Sequence, residues 1–257
     1  MQNNTENPLF VDLRNRLIVV TGGSRGIGRA IVEQLASCGA GVVFTYHTQE
    51  EVAKALACGL QRHDMPVWHM PYTAGNAPDA AALIARIEDA HGPIHGLVNN
   101  AGITRDGVFV RNSTDAWDAV LDVNLHAPAY LLHAALDPMM RRGAGRVVNM
   151  ASISGLRGAI GQANYSASKA ALIALTRTTA LEMARFGIQI NAVAPGFIDT
   201  DILDAMPAAA RAAIPSRVPA RRMGRPEEVA CAVAYLLSDA ADYITGHTLV
   251  IDGGLNA

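Results

Sequence analysis

The sequence contains few of the features that indicate a disulfide-stabilised or membrane-spanning protein. Cysteine occurs three times in 257 residues, at Cys38, Cys58 and Cys231. An odd number of widely spaced cysteines provides no disulfide framework and indicates free thiols in a reducing compartment. No apolar run approaches the roughly 18 residues that a membrane-spanning helix needs. We therefore predict a cytoplasmic protein with no membrane partner.

Neither charge nor metal ligands are concentrated in the chain. The formal net charge is −2 at pH 7, which argues against a nucleic-acid partner. His91 and His95 are four residues apart, but Gly92 and Pro93 lie between them, and no carboxylate or cysteine completes a metal set. We therefore predict no metal site.

The order of apolar patterns predicts one α/β domain. Residues 1–11 are expected to be a flexible leader, because their start is polar and lacks an apolar signal core. Residues 12–257 have the length of one domain, in which strands alternate with helices and imply a parallel sheet covered on both faces. The predicted strands are 17–20, 41–45, 66–70, 96–99, 145–150, 188–192 and 248–251. The predicted helices are 29–36, 49–60, 79–90, 114–142 (with Pro128 and Pro138 as kinks or breaks), 162–186 and 226–238.

A tyrosine and a lysine provide the strongest chemical signal. Tyr165 and Lys169 are four residues apart, so in a helix they share one face. A nearby ammonium is expected to lower the pKa of the phenol, which then exchanges a proton with a substrate oxygen near neutral pH. Ser152, thirteen residues upstream, supplies a hydroxyl to hold the same oxygen. This set indicates carbonyl reduction or alcohol oxidation if a hydride donor binds nearby.

A glycine-rich loop offers a site for such a donor. The strand at 17–20 leads into Thr21-Gly-Gly-Ser-Arg-Gly-Ile-Gly28, and a predicted helix follows. Glycines let the backbone approach a pyrophosphate, and a helix N-terminus favours its negative charge. The strand–loop–helix context therefore predicts dinucleotide binding, with the spacing G-x-x-x-G-x-G.

Together, these motifs carry a family resemblance. With Asn99-Asn-Ala-Gly102, Asn124 and Pro195-Gly196, they stand in the order and spacing of the classical short-chain dehydrogenases/reductases, which the chain resembles over residues 12–255. The stretches 99–106, 161–165, 193–201 and 243–246 are similar to bacterial 3-oxoacyl-[acyl-carrier-protein] reductases. The resemblance implies a doubly wound Rossmann fold with a seven-stranded parallel sheet, in a homotetramer.

The resemblance also implies a role for each candidate catalytic residue. Tyr165 gives its proton to the substrate oxygen while the nicotinamide delivers hydride to carbon, and Ser152 donates a hydrogen bond to that oxygen. Lys169 holds the nicotinamide ribose and tunes Tyr165, and Asn124 positions a water that leads protons to Lys169. The alternatives are a solvated helix face for Tyr165 and Lys169, a helix cap for Asn124 and a turn residue for Ser152.

Charge indicates NADP(H) as the cofactor. No carboxylate follows the second strand until Glu50, so a 2′-phosphate would meet no like charge. Arg25 can pair with that phosphate, assisted by Thr45 and His47, although it can also be a solvated loop charge. The predicted cofactor-binding residues are Gly22, Ser24, Arg25, Gly26, Ile27, Gly28, Thr45, Asn99, Ala101, Gly102, Tyr165, Lys169, Pro195, Gly196, Ile198 and Thr200.

One segment departs from the family pattern. The family often has Asp-Val or Asn-Val against the adenine, and Tyr72 and Thr73 take those positions here. We expect the backbone or Tyr72 to replace that contact.

Two segments bear on the substrate. Residues 198–218 are small and apolar and are expected to form a helical lid, which suits an acyl chain better than a sugar; the alternative is an oligomer or packing surface. Arg141, Arg142 and Arg185 are either a basic patch for an acidic carrier protein or ordinary solvated arginines.

The sequence thus predicts an NADPH-dependent ketoreductase in fatty-acid or polyketide-like synthesis. It is expected to reduce a 3-oxoacyl thioester linked to acyl-carrier protein to the 3-hydroxyacyl thioester, and its partner is expected to be acyl-carrier protein or a CoA thioester substrate. One alternative is a reductase or dehydrogenase of the same fold for another carbonyl, such as acetoacetyl-CoA, a sugar or a cyclic alcohol. Another is a non-catalytic NADP-binding protein.

Overall fold

The computed structural model describes residues 11–61, 66–201 and 208–257. Seven parallel strands form one sheet in the order β3-β2-β1-β4-β5-β6-β7, which confirms the predicted fold class. The strands are β1 (Leu17–Val20), β2 (Gly41–Tyr46), β3 (Val67–Pro71), β4 (Ile94–Asn99), β5 (Gly145–Met150), β6 (Ile188–Pro195) and β7 (Thr248–Ile251).

Helices connect the strands and cover both faces of the sheet. They are α1 (Gly26–Ser37), α2 (Glu50–Leu60), α3 (Ala77–His91), α4 (Thr114–Leu121), α5 (Ala127–Arg142), α6 (Ser154–Arg157), α7 (Ala163–Met183), α8 (Ala208–Ala212), α9 (Ile214–Arg217) and α10 (Pro226–Leu236). None of the helices in the described part of the chain is long and apolar enough to cross a membrane.

The period-two alternation of the strands places the two large core clusters on opposite faces of the sheet. In β1, Ile18 and Val20 belong to one cluster, and Leu17 and Val19 belong to the other. All four residues are buried, because helices cover both faces. Continuous apolar runs such as Leu17–Val20 are therefore the sequence signature of this sheet.

The strand order creates a crevice at the carboxyl ends of β1 and β4. The chain builds β1, β2 and β3 outward in one direction and then returns to place β4 on the other side of β1. Helices leave these two strands toward opposite faces of the sheet, which opens a ligand crevice at this edge in doubly wound folds.

The predicted helix at 114–142 is interrupted just before Pro128. Residues Asp122–His126 form a π-helical turn between α4 and α5. Pro128 lies in the first turn of α5 and has no N–H to donate to the carbonyl of residue 124, so a regular α-helix cannot continue through this point. Pro138, the other expected kink, lies inside α5 without ending it.

The expected leader and lid lie partly outside the described residues. Of residues 1–11, only Val11 is described, and it packs half-buried against the first core cluster. In the expected lid, residues 202–207 are outside the description, and α8 and α9 follow them. Both assignments stay predictions.

Phe44 tests how strongly the core depends on β2. It is 0 % exposed and is among the largest fully buried side chains. We expect Phe44→Ala to lower the free energy of unfolding by about 3–5 kcal/mol, because it loses apolar burial and leaves a cavity. Urea unfolding measures this loss. Val110→Ala, at a side chain that is 85 % exposed, serves as control and should change stability by about 0.5 kcal/mol or less. Equal losses in the two variants would contradict the assignment of Phe44 to the core.

Candidate active site

Four connections bring the predicted site residues to one edge of the sheet. The glycine-rich loop follows β1, Asn99 ends β4, Ser152 follows β5, and Pro195 ends β6. Tyr165 lies in the first turn of α7, which starts at this same edge. Residues that are far apart in the sequence therefore meet at the carboxyl edge, as predicted for a parallel sheet.

Asn124 is held inside the site by three hydrogen bonds. It is 0 % exposed and lies in the π-helical turn. Its Oδ1 accepts from the Ile103 N–H (2.8 Å), and its Nδ2 donates to the Ile103 carbonyl (2.9 Å) and to Ser168 Oγ (3.2 Å). The side chain thus joins the loop after β4 to α7, and it does not act as a helix cap.

Lys169 is buried beside Tyr165. Its Nζ donates to the Met150 carbonyl (2.7 Å) and lies 5.7 Å from the centre of the Tyr165 ring. Burial lowers the pKa of this ammonium to about 8, because a low-dielectric surrounding disfavours the charged form. Lys169 therefore remains largely protonated at pH 7, and it is not the solvated helix residue of the alternative interpretation.

The pKa of Tyr165 departs from the value expected from the sequence. Burial raises the pKa, a hydrogen bond with the Ser152 side chain lowers it, and the charge of Asp106 raises it further. The pKa of Tyr165 is therefore raised, and not lowered as predicted, because desolvation of the phenolate is the largest effect. At neutral pH Tyr165 is therefore a neutral phenol that can donate its proton.

Ser152 lies where its hydroxyl can act with Tyr165. The side chain is 9 % exposed, and its Oγ accepts from the Ser154 N–H (3.1 Å). An accepted hydrogen bond leaves the hydroxyl proton available for donation. Ser152 and Tyr165 thus offer two O–H donors to a substrate oxygen.

The loop after β1 has the conformation of a phosphate cradle. Gly22 (φ 65°) and Gly26 (φ 54°) adopt left-handed backbone that favours glycine. A Cβ on Gly28 would overlap the Gly22 carbonyl oxygen and lie 2.5 Å from Asn100 Nδ2. The first turn of α1 carries no acidic residue, so its N-terminus offers a positive end to an anion. These features fit the pyrophosphate of a dinucleotide.

Thr21 and Asn100 stabilise this loop, although sequence reasoning did not assign them a role. Thr21 Oγ1 accepts from the N–H groups of Asn100 and Ala101, each at 3.0 Å. Asn100 Nδ2 donates to the carbonyls of Thr21 (2.9 Å) and Gly22 (3.0 Å). The signal was their position inside the two motifs quoted for the cofactor.

The loop after β4 lies against both the cradle and the catalytic side chains. A Cβ on Gly22 would be 3.1 Å from Ala101 Cα. A Cβ on Gly102 would be 3.2 Å from Asn124 Oδ1 and 3.5 Å from Lys169 Nζ. Ala101 and Gly102 therefore lie between the expected phosphate site and the proton-donating face of α7.

Two predicted cofactor residues are engaged inside the protein. Thr45 is 2 % exposed, and its Oγ1 accepts from the Gly22 N–H (3.2 Å). Asn99 is 1 % exposed, and its Nδ2 donates to Asn149 Oδ1 (2.9 Å). Both side chains support the edge of the sheet, so Thr45 helps to shape the cradle from below.

The remaining predicted residues surround the cradle. Ser24 is buried in the loop, Ile27 packs half-buried against the first core cluster, and Arg25 is exposed at the start of α1. Thr200 carbons lie 3.6–3.7 Å from the position of a Cβ on Gly26. At the end of β6, the Pro195 carbonyl accepts from the Ile153 N–H in the segment after β5. Gly196 packs against Asp252, and Ile198 is buried.

A groove beside Arg25 has the right lining for an extra phosphate. Its volume is about 310 Å³, and it is lined by Ser24, Arg25, Gly26, Arg29, Gln49, Val52 and Asp201. Two guanidinium groups thus border the groove, although Arg29 also pairs with Glu33 (2.8 Å). His47 is exposed at the end of β2.

Tyr72, which the sequence suggested as an adenine contact, packs among apolar side chains just after β3. Its ring packs against the second core cluster, and its hydroxyl is buried with no hydrogen-bond partner among the described residues. Thr73 is exposed. Tyr72 continues the alternation of Trp68 and Met70 in β3, so packing determines its orientation.

The three arginines of the expected basic patch lie at the opposite edge of the sheet. Arg141 and Arg142 end α5 just before β5 begins, and Arg185 follows α7 just before β6. Arg142 donates to the Ile94 carbonyl (2.7 Å) and pairs with Glu88 (2.9 Å). Because Ser152 and Tyr165 lie at the carboxyl edge, these arginines do not border the site of their own chain.

Comparison with known proteins identifies the family. The profile of the enoyl-(acyl carrier protein) reductase family matches residues 22–256. The chain is 44 % identical to an acetoacetyl-CoA reductase of Synechocystis, over 95 % of this chain and 98 % of that protein. The chain belongs to the short-chain dehydrogenase/reductase family. It is therefore an oxidoreductase of the carbonyl-reductase type that uses a nicotinamide cofactor.

Other relatives of this protein are named for different activities. It is 42 % identical to a 3-oxoacyl-[acyl-carrier-protein] reductase of Vibrio harveyi, over 95 % of this chain and 99 % of that protein. A solved structure of a putative gluconate dehydrogenase from Agrobacterium tumefaciens has a TM-score of 0.92 and 31 % identity, covering 96 % of this chain and 98 % of that one. Proteins with this fold are thus named for several different substrates.

The close approach at Gly28 predicts a selective loss of cofactor binding. We expect Gly28→Ala to weaken binding of the nicotinamide cofactor at least about tenfold, or about 1.4 kcal/mol, because the added Cβ displaces the cradle. Quenching of protein fluorescence by NADPH measures the affinity.

Gly59→Ala in α2 is the matched control. A Cβ there has nothing within 4 Å, so binding should not change. Unchanged affinity in Gly28→Ala would show that the cradle does not hold the cofactor.

Proposed function

We propose that the protein reduces 3-oxoacyl thioesters to 3-hydroxyacyl thioesters with NADPH, the acyl group being carried by acyl-carrier protein. The observation that carries the proposal is the pair of O–H donors at the carboxyl edge. The neutral phenol of Tyr165 and the Ser152 hydroxyl are positioned together to bind one substrate oxygen.

The residues of the chain account for proton transfer to a ketone oxygen. The glycine cradle would hold the pyrophosphate of the dinucleotide, whose reduced nicotinamide would supply the hydride for the carbonyl carbon. Ser152 donates a hydrogen bond to the carbonyl oxygen, which favours the negative charge that develops there. Tyr165 transfers its proton to this oxygen and completes the hydroxyl group. The Lys169 ammonium, next to the ring, stabilises the phenolate that remains.

Arg25 and its surroundings support NADPH as the reductant. The groove beside Arg25 is bordered by a second guanidinium, that of Arg29. Guanidinium groups bind phosphate through paired hydrogen bonds, so a 2′-phosphate fits this groove better than a ribose hydroxyl does. Asp201 also lines the groove, and its carboxylate disfavours the phosphate.

The relatives support a thioester and leave two carriers to compare. One is described as a 3-oxoacyl-[acyl-carrier-protein] reductase and another as an acetoacetyl-CoA reductase, at similar identity. The small apolar residues of the expected lid, such as those of α8, suit an acyl chain. The CoA thioester is therefore the second candidate substrate.

Exposed apolar residues on α7 support the predicted homotetramer. Ala170 and Ala174 are exposed, and Leu181 on the same helix is 83 % exposed. Small residues allow helices of two subunits to approach closely, so we propose that α7 contributes to a subunit interface.

The choice of carrier is tested by following loss of NADPH absorbance with acetoacetyl-carrier protein and with acetoacetyl-CoA. We expect a higher kcat/KM with the carrier protein. A clear preference for the CoA ester would replace the proposal by its second candidate. Turnover of neither thioester, while NADPH still binds, would exclude both.

Tyr165→Phe, which removes the donated proton, should abolish turnover and retain NADPH binding.

The role of Arg25 is tested by comparing the two nicotinamide cofactors. We expect Arg25→Ala to lower kcat/KM for NADPH at least about tenfold, because a charge-assisted pair with phosphate is lost. The value for NADH should stay within about twofold. Lys54→Ala, which removes a cation from α2 outside the groove, is the matched control. Parallel losses with both cofactors would argue against a 2′-phosphate contact.

A further inference from the structure

A chain of hydrogen bonds runs beside Tyr165 and ends at a carboxylate that the mechanism above does not use. Ser152 Oγ accepts from the backbone N–H of Ser154 (3.1 Å), and Ser154 Oγ donates to Gln162 Oε1 (3.2 Å). Gln162 Nε2 donates to both carboxylate oxygens of Asp106, at 3.3 and 3.1 Å. The chain thus runs from the oxygen-binding serine to Asp106.

The backbone fixes Asp106 beside the start of α7. The Gly107 N–H donates to the Gly161 carbonyl (2.8 Å), and Asn164 Nδ2 donates to the Arg105 carbonyl (3.1 Å). These two bonds flank Asp106 on both sides of the sequence. The loop after β4 is therefore held against the helix turn that carries Tyr165, and the carboxylate has a defined place there.

The charged groups around the Tyr165 phenol have opposite effects. Within the described part of the chain, Lys169 approaches from α7 itself and Asp106 from the loop after β4, whereas the segment after β5 contributes the neutral Ser152. The Arg105 guanidinium, next to Asp106 in the sequence, donates to the Thr104 carbonyl (3.0 Å). A carboxylate near a phenol disfavours the phenolate, whereas an ammonium favours it.

We propose that Asp106, held by Gln162, is a positioning residue that keeps Tyr165 in its proton-donating form and thereby extends carbonyl reduction to more alkaline pH. Its charge acts on Tyr165 in the same direction as burial, raising the pKa of the phenol. The inference rests on the proposed function, since reduction needs the phenol and alcohol oxidation needs the phenolate. Because the same phenol titrates in both directions of the reaction, the pH limits of reduction and oxidation should move in the same direction.

The test is the pH dependence of kcat/KM for Asp106→Asn in both directions of the reaction. The alkaline limit of reduction and the acid limit of oxidation should both move to lower pH, because the phenolate is no longer opposed by a carboxylate. At pH 7 the rate of reduction should change by less than about threefold, since Tyr165 stays protonated there. Asp106→Glu keeps the charge, so its pH limits should stay close to those of the wild type.

Two comparisons separate this effect from a loss of structure. Asp118→Asn removes an exposed carboxylate from α4 and should leave both pH limits unmoved. Asp106→Asn should also shift the limits less in a Gln162→Ala background than in the wild type, because the hydrogen bonds from Gln162 to the Asp106 carboxylate are already absent. Lower rates with unmoved limits, or limits that move to higher pH, would overturn the proposal.

A measurement without substrate keeps this inference distinct from the proposed function. The ultraviolet absorption of tyrosinate is followed against pH, and the same titration of Tyr165→Phe is subtracted to isolate one of the six tyrosines. Tyr165 should ionise at lower pH in Asp106→Asn than in the wild type. If neither thioester is reduced, the proposed function fails while this titration still decides the role of Asp106; an unchanged titration would falsify that role.

Discussion

The Asn124 side chain is fully buried, and both of its polar atoms are bonded to groups from other parts of the chain. A buried amide costs free energy unless its hydrogen bonds are made, so these contacts strongly favour one arrangement. Ile103, bonded twice, follows the loop that touches the phosphate cradle, and Ser168, bonded once, precedes Lys169. A single side chain thus sets the distance between the expected cofactor site and the proton-donating face of α7.

Burial shifts the two titratable groups of α7 in opposite directions. It raises the pKa of Tyr165 and lowers that of Lys169 to about 8, because the neutral form of each is easier to desolvate. At neutral pH the phenol is therefore protonated, and the ammonium remains largely charged. This combination suits reduction, in which the phenol must give up a proton and a neighbouring cation must stabilise what remains.

The fold and the convergence of the four candidate residues at one edge of the sheet were predictable because they depend on local patterns. Apolar runs of four to eight residues predict buried strands, and the spacing of Tyr165 and Lys169 predicts a shared helix face. The sequence predicted a kink or break at Pro128 but not a π-helical turn, because that turn depends on both Pro128 and the buried hydrogen bonds of Asn124. The packing of the Tyr72 ring against the second core cluster was not predicted, because only the folded sheet brings that ring and the cluster together.

Electrostatic properties were harder to predict than positions. The sequence places Lys169 beside Tyr165 correctly, but the pKa of a phenol depends on how much water reaches it, which the sequence does not contain. Likewise, the sequence shows three arginines without showing that Arg141, Arg142 and Arg185 stand at the amino edge of the sheet. Both the burial of the phenol and the location of the arginines depend on long-range packing, which short patterns do not encode.

The buried lysine shows how stability and activity are linked in this fold. Lys169 is 4 % exposed and donates to one carbonyl, that of Met150, which only partly replaces its lost hydration. Its position is maintained because the same helix buries Leu172, Ile173 and Ala180 against the sheet, and this apolar contact offsets the cost of desolvation. The helix that supplies the chemistry is therefore held by its apolar face, so residues of this face that never touch substrate still determine where the Lys169 ammonium lies relative to the Tyr165 ring.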